Sequence, residues 1–547
     1  MTPQAWTAIA PLIILGAAAI VAMVAIAFRR SHRLTLIITL VGFALSIWSL
    51  WPASRVTPVA ATQLLTVDGY ALFFFGLIAG AGFVVALFAY DYLNRQQEPG
   101  ASRAEAGEAP AQFSTSAMRA SASVPARHAQ EPGAGWAGAH GAPAQPSISG
   151  MRGGAAQGPA PRPEEFYILL LLAALGAAVL AASAHFASFF LSLEILSISL
   201  YGLNAYPHRH RLPLEAGIKY LVLASSSAAF LLFGMALIYA ATGTMEFGPL
   251  AGALPVGQGG GLEVLLVPGL ALVLVGIGFK LGLVPFHLWT PDVYQGAPAP
   301  VTGFVATASK AGIFAVLIRF FYMLGGAHSH RAMMIITVLA IASMIVGNLL
   351  ALRQTNVKRI LAYSSIAHMG YLLVAFEAAS ASRAMAAAAV GFYFLAYFIT
   401  TLGAFGIIAA LSTGGTEPDR MDDYRGLFWR RPWLALVFTL MLLSLAGIPL
   451  TAGFIAKFYV VAAGATAALW LLLLVLIITS VIGLFYYLRI VVTLFAAQPE
   501  LVPADGPLAL AMPRIAGWVL GVLTVMLVWI GVYPQPFLHL VLSLPLH

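Results

Sequence analysis

The chain has 547 residues, 61% of them apolar and only 9% charged, against about 25% charged residues in an ordinary soluble domain, so a soluble enzyme is excluded. The net charge of +8, from 28 basic and 20 acidic residues, reads as loops facing an anionic leaflet and not as a nucleic-acid surface. Cysteine is absent, which excludes a disulfide framework and any thiolate-ligated metal or iron–sulfur cluster on this polypeptide.

Apolar blocks long enough to span a bilayer fall at about 6–28, 34–51, 70–93, 166–184, 186–205, 213–241, 263–285, 300–324, 332–351, 359–378, 384–411, 432–463, 468–496 and 513–532. That predicts an all-α polytopic membrane protein of about fourteen helices. The first block, Trp6 to Phe28, lacks a basic leader and a small-residue cleavage site close before its end, and reads as a retained span. Between the third and fourth blocks, residues 96–163 hold 18 Ala, 10 Gly, 9 Pro and 7 Ser, with no leucine. Such a stretch cannot bury enough surface to offset its ordering entropy, and is expected to be a disordered insertion on the cytoplasmic side. A docking arm using Trp136 or the arginines is the functional alternative.

Further along, ionisable residues fall inside apolar blocks. Glu194 is in the fifth, in ASFFLSLEILSISLYGL; Lys219 is in the sixth and Lys280 in the seventh, in VLVGIGFKLGLVPF. His287 follows in PFHLWTPDVYQGAP, Lys310 is in the eighth block in VATASKAGIF, His368 is in the tenth in YSSIAHMGYLL, and Lys457 is in the twelfth in TAGFIAKFYV. Only five lysines exist in the chain, and four of them are in this set. Each lysine near a bilayer centre costs about 2.5–3.5 kcal/mol, so the four together imply roughly 10–14 kcal/mol unless partners or water receive them. An ammonium taken out of water is held less firmly in its charged form and can exchange a proton near neutral pH, and imidazole does so with little perturbation. A buried row of such groups could relay protons.

Each has a plainer reading. Lys219 lies six residues past Pro213 and could snorkel to the interface. Lys280, five residues before Pro285, could cap freed carbonyls. Glu194 could be protonated and merely hydrogen-bonded, or could pair with Lys219, so that losing either charge strands the other. Asp68, Asp91, Glu215 and Glu377 fall at expected span ends, where solvated charges are ordinary. No metal-ligand array is present, and Gly257 to Gly261 lack the context of a phosphate loop.

Basic residues alternate between connections. With the N-terminus outside, the inside connections hold Arg29, Arg30 and Arg33; Arg95; Arg209 and Arg211; Arg353, Lys358 and Arg359; Arg420, Arg425, Arg430 and Arg431; and Arg514. The outside ones hold little beyond Arg55, Arg331 and Arg383. The expectation is an even helix count with both termini outside. A proline interrupts the seventh and twelfth blocks close to a lysine, and a broken helix is tolerated in a membrane only where the freed backbone lines a polar cavity or packs in protein. An offset of five helices reverses direction, so helices 4–8 and 9–13 are expected to form an inverted repeat. The expected divisions are 1–95, 96–163, 164–326, 327–498 and 499–547. The local likeness of PVTGFVATASK to PLTAGFIAK pairs helix 8 with helix 12 and does not support that register.

The stretches GIKYLVLASSSAAFLLFGMALIYA, GFKLGLVPFHLWTPDVYQGAPAPVTGF, NVKRILAYSSIAHMGYLL and GIPLTAGFIAKFYV resemble the antiporter-like membrane subunits of bacterial NADH-quinone oxidoreductase, respiratory complex I, and among them the subunit N family. The resemblance covers nearly everything except 96–163, which the family pattern does not explain. It implies fourteen helices in two inverted five-helix repeats with helices 7 and 12 broken. By its motifs Glu194, Lys219, Lys280, Lys310 and Lys457 match the family's proton path, as does His287 in the helix-seven break, and this favours function over snorkelling at Lys219. The implied activity is proton translocation coupled to electron transfer from NADH to quinone. No cofactor is expected on this chain, since FMN, iron–sulfur clusters and quinone would reside on other subunits. The implied partners are other membrane-arm subunits, lipid, protons and internal water, in a bacterial inner membrane. An Mrp-type cation/proton antiporter subunit, which would need an acidic Na⁺ site, and a purely structural membrane spacer are the alternatives.

Overall fold

The computed structural model describes residues 2–97, 162–206, 211–253, 263–323, 330–412, 416–497 and 514–542. The expected disorder of the insertion, Trp136, the basic connection at 207–210 and the glycine run at 257–261 lie outside them. Hydrocarbon offers no partner for a backbone N–H or C=O, so the apolar blocks become helices. These are α1 (Pro3–Phe28), α2 (His32–Ser54), α3 (Gly69–Gln97), α4 (Pro163–Ala182), α5 (Phe186–Asn204) and α6 (Arg211–Thr242). There follow α7a (Glu263–Leu281), α7b (Trp289–Gly296), α8 (Ala299–Met323), α9 (His330–Leu352), α10 (Val357–Glu377) and α11 (Arg383–Leu411). The last are α12a (Pro432–Ala446), α12b (Ala452–Thr466), α13 (Trp470–Phe495) and α14 (Arg514–Val532). Among the described residues 13 helices are long and apolar enough to cross a membrane, and α12, divided into two halves of 15 residues each, supplies the fourteenth span. Two features went unforeseen: short helices Phe247–Ala253 and Gln535–Leu542, and an antiparallel pair, β1 (Val59–Ala60) with β2 (Thr66–Val67), between α2 and α3.

Both expected breaks are present. Gly282 ends α7a at φ +73 and Gly447 ends α12a at φ +86, left-handed conformations that glycine adopts without steric penalty. Helix α8 carries a π-turn, Val305–Ser309, immediately before Lys310. Inserted turns of this kind concentrate at functional sites.

Helices 4–8 and 9–13 repeat one pattern of neighbours. In the first set α4 packs on α5 and α8, α5 on α6, and α6 on α7a; in the second α9 packs on α10 and α13, α10 on α11, and α11 on both halves of α12. Equivalent crossings use equivalent devices. A Cβ on Gly176 would stand 2.7 Å from Leu196 N of α5, and one on Gly347 would stand 2.9 Å from Ala367 N of α10. Without side chains there, backbones approach closely, which is how helices associate in lipid. Helices α8 and α10 are wholly buried and α11 nearly so, whereas α1, α2, α6 and α13 expose apolar side chains such as Trp48, Phe233 and Val481 on their outer faces. The central helices carry the polar groups.

Candidate functional site

Lys280 lies in the last turn of α7a, 3% exposed, where its Nζ donates to Ser197 Oγ of α5 at 2.6 Å and stands 5.5 Å from the Tyr220 ring of α6. Among the described residues it caps no carbonyl: the Phe279 oxygen at the break accepts from Gly282 N at 2.9 Å and from Trp289 Nε1 at 2.8 Å. Ser197 in turn donates to Leu193 O, so one hydroxyl serves both as acceptor and as donor. Glu194, three residues before Ser197, shares that face of α5. Its Oε1 has no hydrogen-bond partner among the described residues.

The expected Glu194–Lys219 pair is not formed. The Lys219 ammonium lies at 2.7 Å from Glu215, one turn earlier on α6, and at 2.9 Å from Asp292 of α7b. Asp292 also receives Arg359 of α10 at 2.8 Å, so it bridges a cation of α6 and one of α10. The side chain of Lys219 is 42% exposed, which matches the interfacial position the sequence left open. Lys219 takes two carboxylates, Glu215 on its own helix and Asp292 beyond the break, in place of Glu194.

The break between α7a and α7b separates Lys280 from Lys310. A Cβ on Gly282 would stand 2.6 Å from Thr290 Oγ1 and 3.7 Å from Lys310 Nζ, so the glycine keeps this space open. Two buried polar atoms in and beside the turn, His287 Nδ1 and Thr290 Oγ1, lack hydrogen-bond partners. Orphaned polar atoms around such a gap are what an internal water satisfies.

Lys310 is fully buried and its Nζ donates to Ser365 Oγ of α10 at 2.7 Å. Ser365 also accepts from Tyr397 OH of α11 at 2.7 Å and lies 3.2 Å from Tyr294 OH. His368 is one turn beyond Ser365 on the same face of α10. Its Nδ1 meets Tyr393 OH at 2.6 Å, its Nε2 meets Tyr487 OH at 3.3 Å, and its ring lies 5.3 Å from that of Tyr397. Tyr487 pairs with Ser364.

His368, Tyr393, Tyr397, Ser444 and Lys457 line one cavity of about 10 Å³, room for roughly a single water. Lys457, half-buried on α12b, closes the row. Its Nζ donates to Ala446 O, freed by the break in helix 12, and to Ser480 Oγ of α13, both at 2.8 Å. The capping role considered for Lys280 thus falls to Lys457.

The structure therefore strings Lys280, Lys310, His368 and Lys457 along one polar band, with Glu194 one turn before Ser197 on α5 and His287 in the helix-seven break, and leaves Lys219 at its edge. Sequence reading missed the hydroxyl partners Ser197, Ser365, Ser480, Tyr294, Tyr393, Tyr397 and Tyr487. The signal available for Ser365 was its place three residues before His368, on the same face of α10. It also misread two span ends. Asp68 is fully buried, pairs with Arg319 of α8 at 2.8 Å and caps α3 through Ala71 N, while Glu377 is only 4% exposed. The fifth lysine, Lys358, is buried as well and pairs with Glu417 at 2.5 Å.

The family described as NADH:quinone oxidoreductase/Mrp antiporter, TM, matches residues 183–483. The NADH-quinone oxidoreductase subunit N of Ectopseudomonas mendocina (strain ymp) is 44% identical over 542 residues, spanning 99% of this chain and 96% of that one. A chain of respiratory complex I from Thermus thermophilus aligns over 97% of this chain and 98% of its own, with 31% identity and a TM-score of 0.71. A chain of the Mrp complex from Dietzia sp. DQ12-45-1b covers 99% and 97% with a TM-score of 0.76 at 18% identity, a likeness of fold alone. With the family match covering more than half of the chain and the 44% identity reaching over 99% of it, the chain belongs to the NADH:quinone oxidoreductase/Mrp antiporter family of transmembrane subunits.

Proposed function

We propose that this chain is the proton-translocating membrane-arm subunit of a respiratory complex I, and that it moves protons while other subunits carry electrons from NADH to quinone. The observation that carries the reading is the row Lys280–Ser197, Lys310–Ser365 and Lys457–Ser480, three amines each held by a neutral hydroxyl and not by a carboxylate. An amine so held can give up its proton without stranding a counter-ion, whereas a lysine locked to an acid would stay charged.

Glu194 sets the field at Lys280 directly, and Lys219 acts through Asp292 and Arg359. From Lys280 the proton crosses the helix-seven break by water near His287 and Thr290 to Lys310. Ser365, Tyr397 and His368 then hand it to the cavity that Lys457 lines. The two repeats, 164–326 and 327–498, meet at Lys310 and His368, with 1–95 and 499–547 as flanking elements. The chain carries no redox group, in keeping with a sequence that has no cysteine for an iron–sulfur cluster. Purification through a tag on this chain is expected to bring NADH-oxidising, iron–sulfur-containing subunits with it; recovery of the chain alone would contradict the assignment.

The chain lies in the bacterial inner membrane with both termini on the outer side, as the basic connections indicate. Because no native cysteine competes, single replacements report orientation cleanly. Ala381→Cys, in the turn after α10, should react with an impermeant thiol reagent added from outside. Thr355→Cys, in the turn before α10, should react only once the membrane is opened. The opposite pattern would reverse the orientation.

A further inference from the structure

The band described above ends at His368 and Lys457, and α10 continues for nine residues beyond His368 to Glu377, roughly 14 Å along the helix. Glu377 is 4% exposed. Thr337 Oγ1 of α9 donates to its Oε2 at 2.8 Å, while Oε1 is buried without a hydrogen-bond partner. The carboxyl borders a cavity of about 10 Å³ that Phe321, Tyr322, Met333, Phe376 and Ser380 complete, room for roughly one water. No ion pair among the described residues includes Glu377. Tyr322 is the other titratable group on the cavity wall, and the guanidinium of Arg383 of α11 lies 5.2 Å from its ring. The free Oε1 of Glu377 presents an acceptor to a water-sized space, at the end of α10 opposite Lys358 and Glu417.

We propose that Glu377 is a proton-holding site at that end of the α8–α9–α10 seam, exchanging protons between the relay and water on the same face; it rests on the relay reading of the preceding section. A proton delivered by water forms an O–H bond at Oε1 and turns the carboxylate into a carboxylic acid. Release breaks that bond and returns the proton to water, and no electron moves. Thr337 fixes the carboxyl orientation throughout by donating to the other oxygen.

The test uses the whole complex in vesicles, with ΔpH formation normalised to complex content and infrared difference spectra between acid and alkaline pH. Glu377→Gln is expected to slow ΔpH formation severalfold, Glu377→Asp to recover most of it, and a titrating carboxylic C=O band to vanish in Glu377→Gln. Normal pumping by Glu377→Gln, or an unchanged band, overturns the site, while an inactive Lys280→Met complex in the same series leaves the relay standing. A fully active Lys280→Met complex overturns the relay reading instead. Should Glu377→Gln fail to assemble, Thr337→Val decides, because it keeps the acid and removes only its hydrogen bond. A shifted carboxylic band is then expected, and an unshifted one overturns the proposal.

Discussion

Lys280→Met is expected to leave the complex assembled and to reduce both ΔpH formation and NADH:quinone turnover by at least about tenfold, the scale on which loss of a positioned proton carrier acts. Methionine keeps the length and apolar packing of the side chain. Ser197, the only hydrogen-bond partner of the ammonium among the described residues, still donates to Leu193 O, so no donor is left unsatisfied and the fold has no reason to fail. A membrane spacer would be unharmed by the change, or stabilised by losing a buried amine. Glu194→Gln should impair pumping only partly, since it removes a nearby negative charge and leaves Lys280 on Ser197. Proton uptake in vesicles, normalised to complex on native gels, separates these outcomes.

The second large effect is on assembly, at the buried pair of Asp68 and Arg319. Here 251 residues of chain separate two side chains that are 0% and 1% exposed, and Arg319 also donates to Ala181 O of α4. The pair therefore ties α3, α4 and α8 together. Removing one partner leaves the other charged in a low-dielectric interior, so Arg319→Leu should destabilise by about 3–5 kcal/mol and deplete assembled complex. Asp68→Asn keeps an oxygen for Ala71 N, yet strands the guanidinium and should be similarly damaging. The double variant, with both charges gone, is expected to recover much of the loss. Thermal unfolding of the complex across this cycle gives the coupling, and additive losses would show that the two residues act independently.

What the sequence made legible follows from the physics of each signal. A lysine in an apolar block is expensive wherever it points, so Lys280, Lys310 and Lys457 could be picked out before any partner was known. Gly447, Pro449 and Pro285 marked the broken helices because helical backbone cannot run through them unperturbed. Partners are a different matter. Serine and tyrosine are common in membrane helices, and nothing in their spacing distinguishes Ser365, which receives Lys310, from Ser364 beside it, which pairs with Tyr487. Asp68 and Glu377 do lie at the ends of α3 and α10, where hydropathy put them, but Arg319 of α8 receives the first and Thr337 of α9 the second, and hydropathy does not show which span ends a neighbouring helix covers. The Lys219 partner was misjudged because Asp292 lies beyond the break, on a short helix whose direction hydropathy does not give.

The central claim is that Lys310 joins the two halves of the band, taking protons across the helix-seven break and passing them by Ser365 and Tyr397 to His368. Its most direct test is the initial rate of ΔpH formation per assembled complex in vesicles carrying Lys310→Met. The relay predicts a rate at least about tenfold below that of the unaltered complex, with turnover falling alongside it. A Lys310→Met complex that acidifies vesicles at the unaltered rate would contradict the relay and place the proton route elsewhere.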